Sequence, residues 1–352
     1  MVVSHVKLHN FRSHERMAAD LSRPVTVITG SNGSGKTSIL EAVYCLLQGS
    51  SFRSSDQEII RFGTDFWQAD LAMSDGTVRK IRHSSASPKS GPKKEVRLGD
   101  KKSARLPLVA KYPVVLFTPA DLNLIHRSPG NRRDYFDHLF GRIDSSYRQA
   151  ISRYRRALAQ RNKLLKSEYR TPGDQDIWDA LLARYGSEIL LKRNFYTNLI
   201  SDRLPEVYGK IASGNNQSLP NHRPSVQLSY SGKARGEEEY LDALRSNHQR
   251  DQLLRTTSLG PHRDDFFFRF NNRLATDIAS QGENRTIIVA LKFIESDLYF
   301  EQSNRAPLIL LDDIFSELDQ SRQAALMQNF ANHQIIITAV DPPKGLASDI
   351  QL

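Results

Sequence analysis

A glycine-rich segment near the start of the chain carries the residue types that bind phosphate. Its residues are Gly30, Ser31, Asn32, Gly33, Ser34, Gly35, Lys36, Thr37 and Ser38. They contain the pattern GxxxxGK[ST], with an apolar run before it and a helical pattern after it. Glycines let backbone N–H groups approach a phosphate closely at a helix start. Lys36 would reach the β- and γ-phosphates of a nucleotide, and Thr37 would bind Mg²⁺. The alternative is a glycine-rich turn without a ligand.

A magnesium site also needs a carboxylate on a neighbouring strand. Residues 308–311 are all apolar, which predicts a buried parallel strand, and Asp312 and Asp313 follow directly. Ligands of open α/β sheets bind at the carboxyl ends of the strands. We therefore expect Asp312 to hold Mg²⁺ and Asp313 to polarise an attacking water, and we expect Lys36, through the phosphates, to be the second catalytic residue. The alternative is a strand that ends in a solvated acidic turn.

A second anion site is predicted at the start of another helix. The residues before its apolar positions are Ser280, Gln281, Gly282 and Glu283. Serine and glycine at a helix N-terminus favour an anion. Since the chain already has one phosphate cradle, a second one suggests that a nucleotide is bound between two subunits. The alternative is an ordinary helix cap.

The surrounding pattern predicts the elements that would position these residues. Strands are predicted at 2–8, 25–29, 66–83, 95–98, 114–117, 266–270, 307–311 and 334–339. A helix is predicted from Thr37. The segments 84–94 and 214–225 are rich in small and polar residues, and we interpret both as loops.

Apolar residues at mostly four-residue steps predict two long antiparallel helices between these strands. The first would begin at Ser145 and run for about 22 residues, or about 33 Å. The second follows a break at 171–173, and Pro205 is expected to end it. Together they would form a helical arm inserted between the phosphate loop and the two acids.

Composition narrows the functional classes. The chain has 352 residues, a net charge of +10 and a pI near 9.6, which favours a polyanionic partner such as nucleic acid. Its single cysteine, Cys45, excludes an internal disulfide and is most simply a core residue. With no apolar run of membrane-spanning length and no signal-peptide pattern at the N-terminus, we expect a cytoplasmic protein without a membrane partner.

The whole set of motifs is similar to that of the ATP-binding-cassette ATPases, and within them to the SMC-like branch and the RecF family. The likeness covers nearly the whole chain. Besides the motifs above, it includes Asn10–Ser13, Ser51–Ser54, Phe117–Leu122, Ser128–Pro129 before Arg132 and Arg133, Pro261–Asp265 and Leu311–Asp319. The resemblance implies an α/β fold, with an ABC-type phosphate-loop ATPase head and an inserted, mainly helical arm.

The resemblance also implies a domain plan and a function. Residues 1–125 would be the N-terminal part of the head (lobe I), 126–252 the arm (lobe II), and 253–352 the rest of the head. Two heads would sandwich ATP and Mg²⁺ as a homodimer, hydrolyse ATP slowly and bind double-stranded DNA at junctions with single-stranded gaps. RecR and RecO would be partners in loading RecA. Arg12 resembles an arginine that contacts nucleotide phosphates, and its alternative is a surface ion pair.

Three positions depart from the common cassette pattern. Residues 280–283 are SQGE rather than SGGQ, Asp313 replaces a glutamate, and Thr338 lies where transporters have a switch histidine. A shorter acid and a hydroxyl suit slow turnover better than a fast motor. Residues 117–121 lie where the family has a magnesium-sensing loop, but they include no glutamine.

A stripe of basic residues on the first arm helix supplies the candidate DNA contacts. They are Arg153, Arg155, Arg156, Arg161 and Lys163, with no acid among them. Phosphate contacts are independent of sequence and sensitive to salt. The alternative is a solvated helix face. A second basic cluster at 80–102 and the pair His262 and Arg263 are equally open to a structural role.

Two other functional classes make different predictions. A transport-type cassette would have a histidine switch and no basic stripe, which is the opposite of this sequence. A nucleotide-gated interaction module would leave DNA recognition to a partner protein. The sequence does not exclude that second alternative.

Overall fold

The computed structural model describes residues 3–85, 93–167, 173–212 and 224–352. Most of the predicted loops at 84–94 and 214–225, and most of the break at 171–173, therefore lie outside the described residues. The chain divides into two compact units: Met1–Asp121 with Ser296–Leu352, and Leu122–Glu295. No helix in the described ranges is long and apolar enough to cross a membrane.

Fourteen strands and ten helices are assigned in these ranges. The strands are β1 Val3–Phe11, β2 His14–Asp20, β3 Val25–Thr29, β4 Phe66–Met73, β5 Val78–Ser84, β6 Lys94–Leu98, β7 Lys101–Ser103, β8 Val114–Phe117, β9 Val226–Tyr230, β10 Phe266–Phe270, β11 Arg273–Leu274, β12 Leu308–Asp312, β13 Ile335–Ala339 and β14 Ile350–Gln351. The helices are α1 Lys36–Gln48, α2 Pro119–Leu122, α3 Pro129–Ile143, α4 Ser145–Lys166, α5 Asp174–Ala212, α6 Glu237–Ser246, α7 His248–Leu254, α8 Ala275–Ile278, α9 Gln281–Ser303 and α10 Gln320–Asn329.

A five-stranded parallel sheet forms the centre of the first unit, in the order β14-β3-β13-β12-β8. Strand β12 is buried along its whole length, and so is β13. Continuous apolar runs of this kind are typical of parallel strands covered on both faces. The predicted strands at 25–29, 114–117, 307–311 and 334–339 are confirmed as members of this sheet.

A six-stranded antiparallel sheet completes the first unit, in the order β2-β1-β4-β5-β6-β7. Strand β4 alternates strictly between buried and partly exposed side chains, because only one face of this sheet covers the core. Helix α1 packs into the same core, and Cys45 on it is fully buried, as predicted. The packing places the N-terminal end of α1 at the carboxyl edge of the parallel sheet.

The second unit is mainly helical and contains the predicted arm. Helix α4 runs from Ser145 for 22 residues, as the sequence predicted, and packs along α5. A three-stranded sheet in the order β11-β10-β9 lies beside α5. Its aromatic strand β10 stacks on α3, where the ring centroids of Phe136 and Phe266 are 4.3 Å apart.

The prediction that Pro205 ends the second long helix is wrong. Helix α5 continues through it to Ala212. Proline removes one backbone hydrogen bond and costs about 3 kcal/mol in a helix interior. Here Leu204, Tyr208 and Ile211 continue the buried face on both sides of the proline, and their burial outweighs that cost.

The contact-based units differ from the predicted domain plan over residues 122–125 and, mainly, over residues 253–295. The plan assigned this stretch to the head, whereas its contacts group it with the second unit. The reason is that β10 pairs with β9 along its whole length, from Phe266 opposite Tyr230 to Phe270 opposite Val226. The functional division into lobes stays a prediction.

Candidate nucleotide site and charged clusters

The glycine-rich loop connects the end of β3 to the start of α1. Gly33 and Gly35 have φ values of +85° and +100°, which L side chains rarely adopt. A Cβ on Gly35 would also lie 2.4 Å from His14 Nε2 and 2.8 Å from Ser13 Oγ. Glycine is therefore required at 35 both for its backbone conformation and for the close approach of the segment that follows β1.

Lys36 folds back over this loop. Its Nζ donates to the carbonyl oxygens of Gly30 at 2.6 Å and Ser31 at 2.9 Å, and the residue is 7% exposed. The Ser34 hydroxyl is buried and has no hydrogen-bond partner in the described part of the chain. An ammonium group and a spare hydroxyl inside a loop of backbone N–H groups form a cradle that fits a phosphate chain.

Asp312 and Thr37 are adjacent in space although they are far apart in the chain. Thr37 Oγ1 donates to Asp312 Oδ1 at 2.8 Å, and Thr338 Oγ1 donates to the same oxygen at 2.8 Å. The parallel pairing of β12 with β13, which places Asp312 opposite Thr338, creates the second contact. A hydroxyl and a carboxylate at this edge are oxygen donors of the kind that Mg²⁺ prefers, so the residues fit that ion.

Asp313 follows β12 in an unusual conformation. Its φ is +53°, and its backbone N–H donates to Thr338 Oγ1 at 3.0 Å. Burial raises the pKa of its carboxyl, Lys36 opposes that rise, and Asp312 and Glu317 add to it. Left-handed residues other than glycine cost about 1 kcal/mol or more and often occur at functional sites. A carboxylate with a raised pKa beside a phosphate cradle is suited to accepting a proton from water.

Arg12 belongs to an ion cluster that sequence reasoning missed. Its guanidinium pairs with Glu41, which is fully buried on α1, and Arg53 pairs with the same carboxylate. Burial alone would raise the pKa of Glu41, but hydrogen bonds from Arg12, Arg53 and Ser51 lower it. A single acid in the otherwise apolar segment 39–47 of α1 was the available signal, since such a residue requires buried partners.

Ser280 and Glu283 form a reciprocal cap at the start of α9. The Glu283 N–H donates to Ser280 Oγ at 3.2 Å, and the Ser280 N–H donates to Glu283 Oε2 at 2.7 Å. This is a capping box, the structural alternative that the sequence left open. Ser280 and Gln281 are also at least partly exposed. A contact of residues 280–283 with a second nucleotide stays a prediction.

The predicted basic stripe on α4 is divided between surface and core. Arg153, Arg155, Arg156 and Lys163 are exposed. Arg161 is fully buried, and it donates to Asp179 Oδ1 and Asp251 Oδ2, both at 2.6 Å. The interpretation of Arg161 as a DNA contact is therefore corrected, because a buried guanidinium with two carboxylate partners does not reach a phosphate.

The signal for the burial of Arg161 was present in the sequence. Tyr147, Tyr154 and Arg161 recur at seven-residue steps, so they lie on one face of α4. Tyr147 and Tyr154 are both buried. The same periodicity places Arg161 among them.

His262 packs inside the second unit. Its Nδ1 lies 2.8 Å from Tyr154 Oη and its Nε2 lies 3.0 Å from the Thr257 carbonyl oxygen. Burial lowers its pKa to about 4, with an opposing hydrogen bond to Thr257. These contacts favour the structural role for His262 over a contact with DNA. The neighbouring Asp264 carboxylate accepts a hydrogen bond from Tyr230 Oη at 2.6 Å.

The second basic cluster lies partly on the open face of the antiparallel sheet. The strand register aligns Lys80 with Arg97, and Arg97 with Lys102, across neighbouring strands. Like charges in such cross-strand positions are unfavourable for the sheet, although Asp70 lies 3.4 Å from Lys80. Lys94 instead pairs with Asp56 at 2.7 Å and supports the fold.

Comparisons with known proteins agree on one family. The model of an AAA domain matches residues 5–328. The DNA replication and repair protein RecF of a Bacillus cereus strain is 34% identical over 337 residues, which cover 93% of this chain and 88% of that protein. RecF of Clostridium acetobutylicum is 30% identical over 360 residues, covering 100% and 97%.

Solved structures agree with this assignment. The recombination mediator protein RecF-ATP of the RecFOR pathway superposes with a TM-score of 0.82 at 25% identity, covering 99% of this chain and 94% of that chain. An SMC head bound to the C-terminal winged-helix domain of ScpA superposes with a TM-score of 0.52 at 15% identity, which shows a shared fold. The predicted ABC-type α/β fold is thus confirmed. This chain belongs to the RecF family of DNA replication and repair proteins and is an ABC-type ATPase.

Proposed function

We propose that this protein is an ATP- and Mg²⁺-dependent DNA clamp of recombinational repair in the cytoplasm. Two copies would close around ATP and bind double-stranded DNA at the edges of single-stranded gaps. Acting with RecR and RecO, the closed dimer would promote RecA loading. The observation that carries this proposal is the assembly of Lys36, Thr37 and Asp312 at one edge of the parallel sheet.

The phosphate loop would bind and orient the nucleotide. Lys36, which now donates to two loop carbonyls, would exchange those partners for phosphate oxygens. Residues 30–38 would supply backbone N–H groups, and Ser34 its spare hydroxyl. Thr37 and Asp312 would hold Mg²⁺, which supplies charge neutralisation at the β- and γ-phosphates when it is bound.

Asp313 would accept the proton of the attacking water. Its left-handed backbone is held by hydrogen bonds from its N–H to both oxygens of Thr338. These bonds fix the position of the backbone from which the carboxylate extends. Its raised pKa makes it a better base than an ordinary aspartate. The short side chain and the absence of a histidine at 338 support slow hydrolysis, which suits a switch.

The exposed part of α4 would contact DNA. Arg153, Arg156 and Lys163 are exposed cations, whereas Arg155 also pairs with Asp134 and Asp137 at 3.3 and 3.1 Å. A surface of this type meets phosphates rather than bases, so it would bind duplex DNA irrespective of sequence. The alternative function is a nucleotide-gated interaction module whose DNA recognition is supplied by a partner.

One experiment separates the two functions. Duplex DNA binding and oligomeric state are measured together, with and without ATP–Mg²⁺ and at two salt concentrations. We expect dimerisation and DNA binding to appear together only with ATP–Mg²⁺, and Lys36→Ala to abolish both. Dimerisation without DNA affinity would instead support the interaction module, and unchanged dimerisation of Lys36→Ala would contradict the nucleotide-closed dimer.

The role of α4 is tested by charge reversal. The double substitution Arg155→Glu and Arg156→Glu should weaken duplex binding and reduce its salt dependence, by about 0.9 in the logarithmic slope for each lost phosphate contact. A matched control reverses Lys210 and Arg245, whose side chains are 70% and 53% exposed elsewhere in the same unit. Equal losses in both variants would assign the effect to net charge alone.

A further inference from the structure

The buried carboxylate of Glu41 has more cationic partners than are required to neutralise its single charge. Arg12 donates to it twice, from Nε at 3.0 Å and from Nη2 at 2.7 Å. Arg53 donates to it from Nε at 3.0 Å, with its Nη2 2.8 Å away. The hydroxyls of Ser51 and Ser54 add contacts at 2.6 and 3.2 Å. One negative charge is therefore shared by two guanidinium groups, and the cluster keeps one positive charge in excess.

This cluster adjoins the phosphate loop. Ser13, the neighbour of Arg12, and His14 lie so close to Gly35 that a Cβ there would clash with both. On the other side, Arg53 Nη2 lies 3.5 Å from Ser38 Oγ, in the first turn of α1. Both arginines thus flank the junction of loop and helix where the phosphates would lie.

The two arginines are not equivalent. Arg12 has a left-handed backbone with φ of +56°, and its Nη1 also donates to the Glu58 carbonyl oxygen at 2.7 Å. Its side chain is 21% exposed, whereas that of Arg53 is 37% exposed. If Arg12 were the only cation beside Glu41, its movement to a phosphate would leave a buried carboxylate unpaired, which is strongly unfavourable. Arg53 and two serine hydroxyls remove that obstacle.

We propose that Glu41 is the resting partner of Arg12 and competes with bound nucleotide for it, and that Arg53 is the replacement partner that allows Arg12 to leave. Glu41 and Arg53 are thus positioning residues, acting on the nucleotide through Arg12. This inference rests on the proposed ATP binding and on the contact of Arg12 with nucleotide phosphates that the resemblance to the cassette ATPases implies. It assigns a function to the Ser51–Ser54 segment, which the proposed ATPase mechanism does not use.

The test measures the dissociation constant of ATP–Mg²⁺ and kcat for the full-length protein and its variants. Arg53→Ala should weaken ATP binding about tenfold, because Arg12 then stays on Glu41. Glu41→Gln should bind ATP at least as tightly as the unaltered chain, and adding Arg53→Ala to it should change binding less than about threefold. Arg12→Ala should weaken binding in both backgrounds. Arg61→Ala is the matched control, since Arg61 is also 37% exposed and pairs with an exposed acid.

The inference is tested by comparing the effect of Arg53→Ala on ATP binding with Glu and with Gln at position 41. A loss from Arg53→Ala that persists fully with Gln at 41 would overturn it and make Arg53 a direct ligand or a structural residue. If Glu41→Gln does not fold, Arg53→Lys replaces it as the test: a retained cation should keep binding within about threefold, and a loss equal to that of Arg53→Ala would also overturn the inference. If Arg12→Ala binds ATP normally, the proposed nucleotide contact fails, and failure of the unaltered chain to bind ATP rejects the ATPase proposal itself.

Discussion

The two units contain buried ion clusters of opposite composition. In the first unit one carboxylate, Glu41, meets two arginines. In the second unit one arginine, Arg161, meets two carboxylates, Asp179 and Asp251, and all three side chains have no exposed surface. The arginines around Glu41 keep 21% and 37% of their side-chain surface exposed.

This difference in exposure separates an exchangeable cluster from a permanent one. An arginine that reaches solvent can turn to a new anion, because its route is open and its hydration is partly retained. Arg161 has no such route, and Thr257 Oγ1 also accepts from it at 2.9 Å. The partly exposed arginines beside the phosphate loop can therefore exchange one anionic partner for another. The fully buried Arg161 in the second unit instead stabilises the fold. Four predictions test this distinction, from the largest effect to the smallest.

Removing Arg161 should be the most destabilising change. Arg161→Ala removes the arginine from the buried Asp251 and leaves Asp179 paired with His248, so we expect the free energy of unfolding to fall by about 3–5 kcal/mol. Urea unfolding followed by circular dichroism measures the loss. Arg156→Ala, an exposed arginine on the same helix, should change stability by less than about 0.5 kcal/mol. Equal effects of the two substitutions would show that Arg161 is not a structural cation.

Acid should weaken the second unit before it weakens the Glu41 cluster. The pKa of His262 is lowered to about 4 from 6.5, so the unfolded chain binds more protons between these pH values. Stability should therefore fall by up to about 3 kcal/mol as the pH drops from 6.5 to 4. Glu41 has a lowered pKa, so its stabilisation is complete above its unfolded value of 4.5 and is lost as the pH falls through its lower folded pKa.

Unfolding free energies from pH 7 to pH 4 check this order. His262→Gln should flatten the slope between pH 6.5 and 4. A slope that is unchanged in this variant would assign the acid sensitivity to other groups.

Removing Glu41 should lower the free energy of unfolding by less than removing Arg161 does. Glu41→Ala leaves Arg12 and Arg53 unpaired, but both can regain water, so the expected loss is about 1–3 kcal/mol. The same urea experiment gives the value. A loss as large as that of Arg161→Ala would mean that the two arginines cannot rehydrate, and the exchange of partners by Arg12 would then lose its physical basis.

Removing Arg53 should have the smallest effect on stability. Its ion pair is partly exposed, and Arg12 and two serines remain on Glu41, so Arg53→Ala should cost less than about 1 kcal/mol. Thermal unfolding measures this small shift. A loss above about 2 kcal/mol would show that Arg53 is mainly structural, and its effect on ATP binding would have to be interpreted accordingly.

Several elements could be predicted from local pattern alone. The apolar runs of β3, β12 and β13 and the glycine-rich loop before α1 were identified correctly, because burial on both faces and positive φ angles leave clear marks in a sequence. The 22-residue helix α4 was also found from its periodicity. Pro205 was misinterpreted, because a rule of local conformation was overruled by packing on both sides of it.

Charged residues were predicted less well than apolar ones. The stripe on α4 was interpreted from charge alone, yet Arg161 turned inward to Asp179 and Asp251. Glu41 was not recognised at all, because its partners Arg12 and Arg53 lie on separate segments. An isolated charge in a sequence shows that a partner or water is needed, but it does not show which of the two is present.

The sequence by itself determined the phosphate loop, the acid-terminated strand and the family, since each is encoded in contiguous residues with a fixed spacing. Only the tertiary structure decided which charges are available for ligands. Thr37 meets Asp312 because α1 begins, and β12 ends, at the same edge of the sheet. Glu41 has two cations, and Arg161 two anions, because folding brings distant segments together. The burial of a charge is a property of all its neighbours, and that information is not local in the chain.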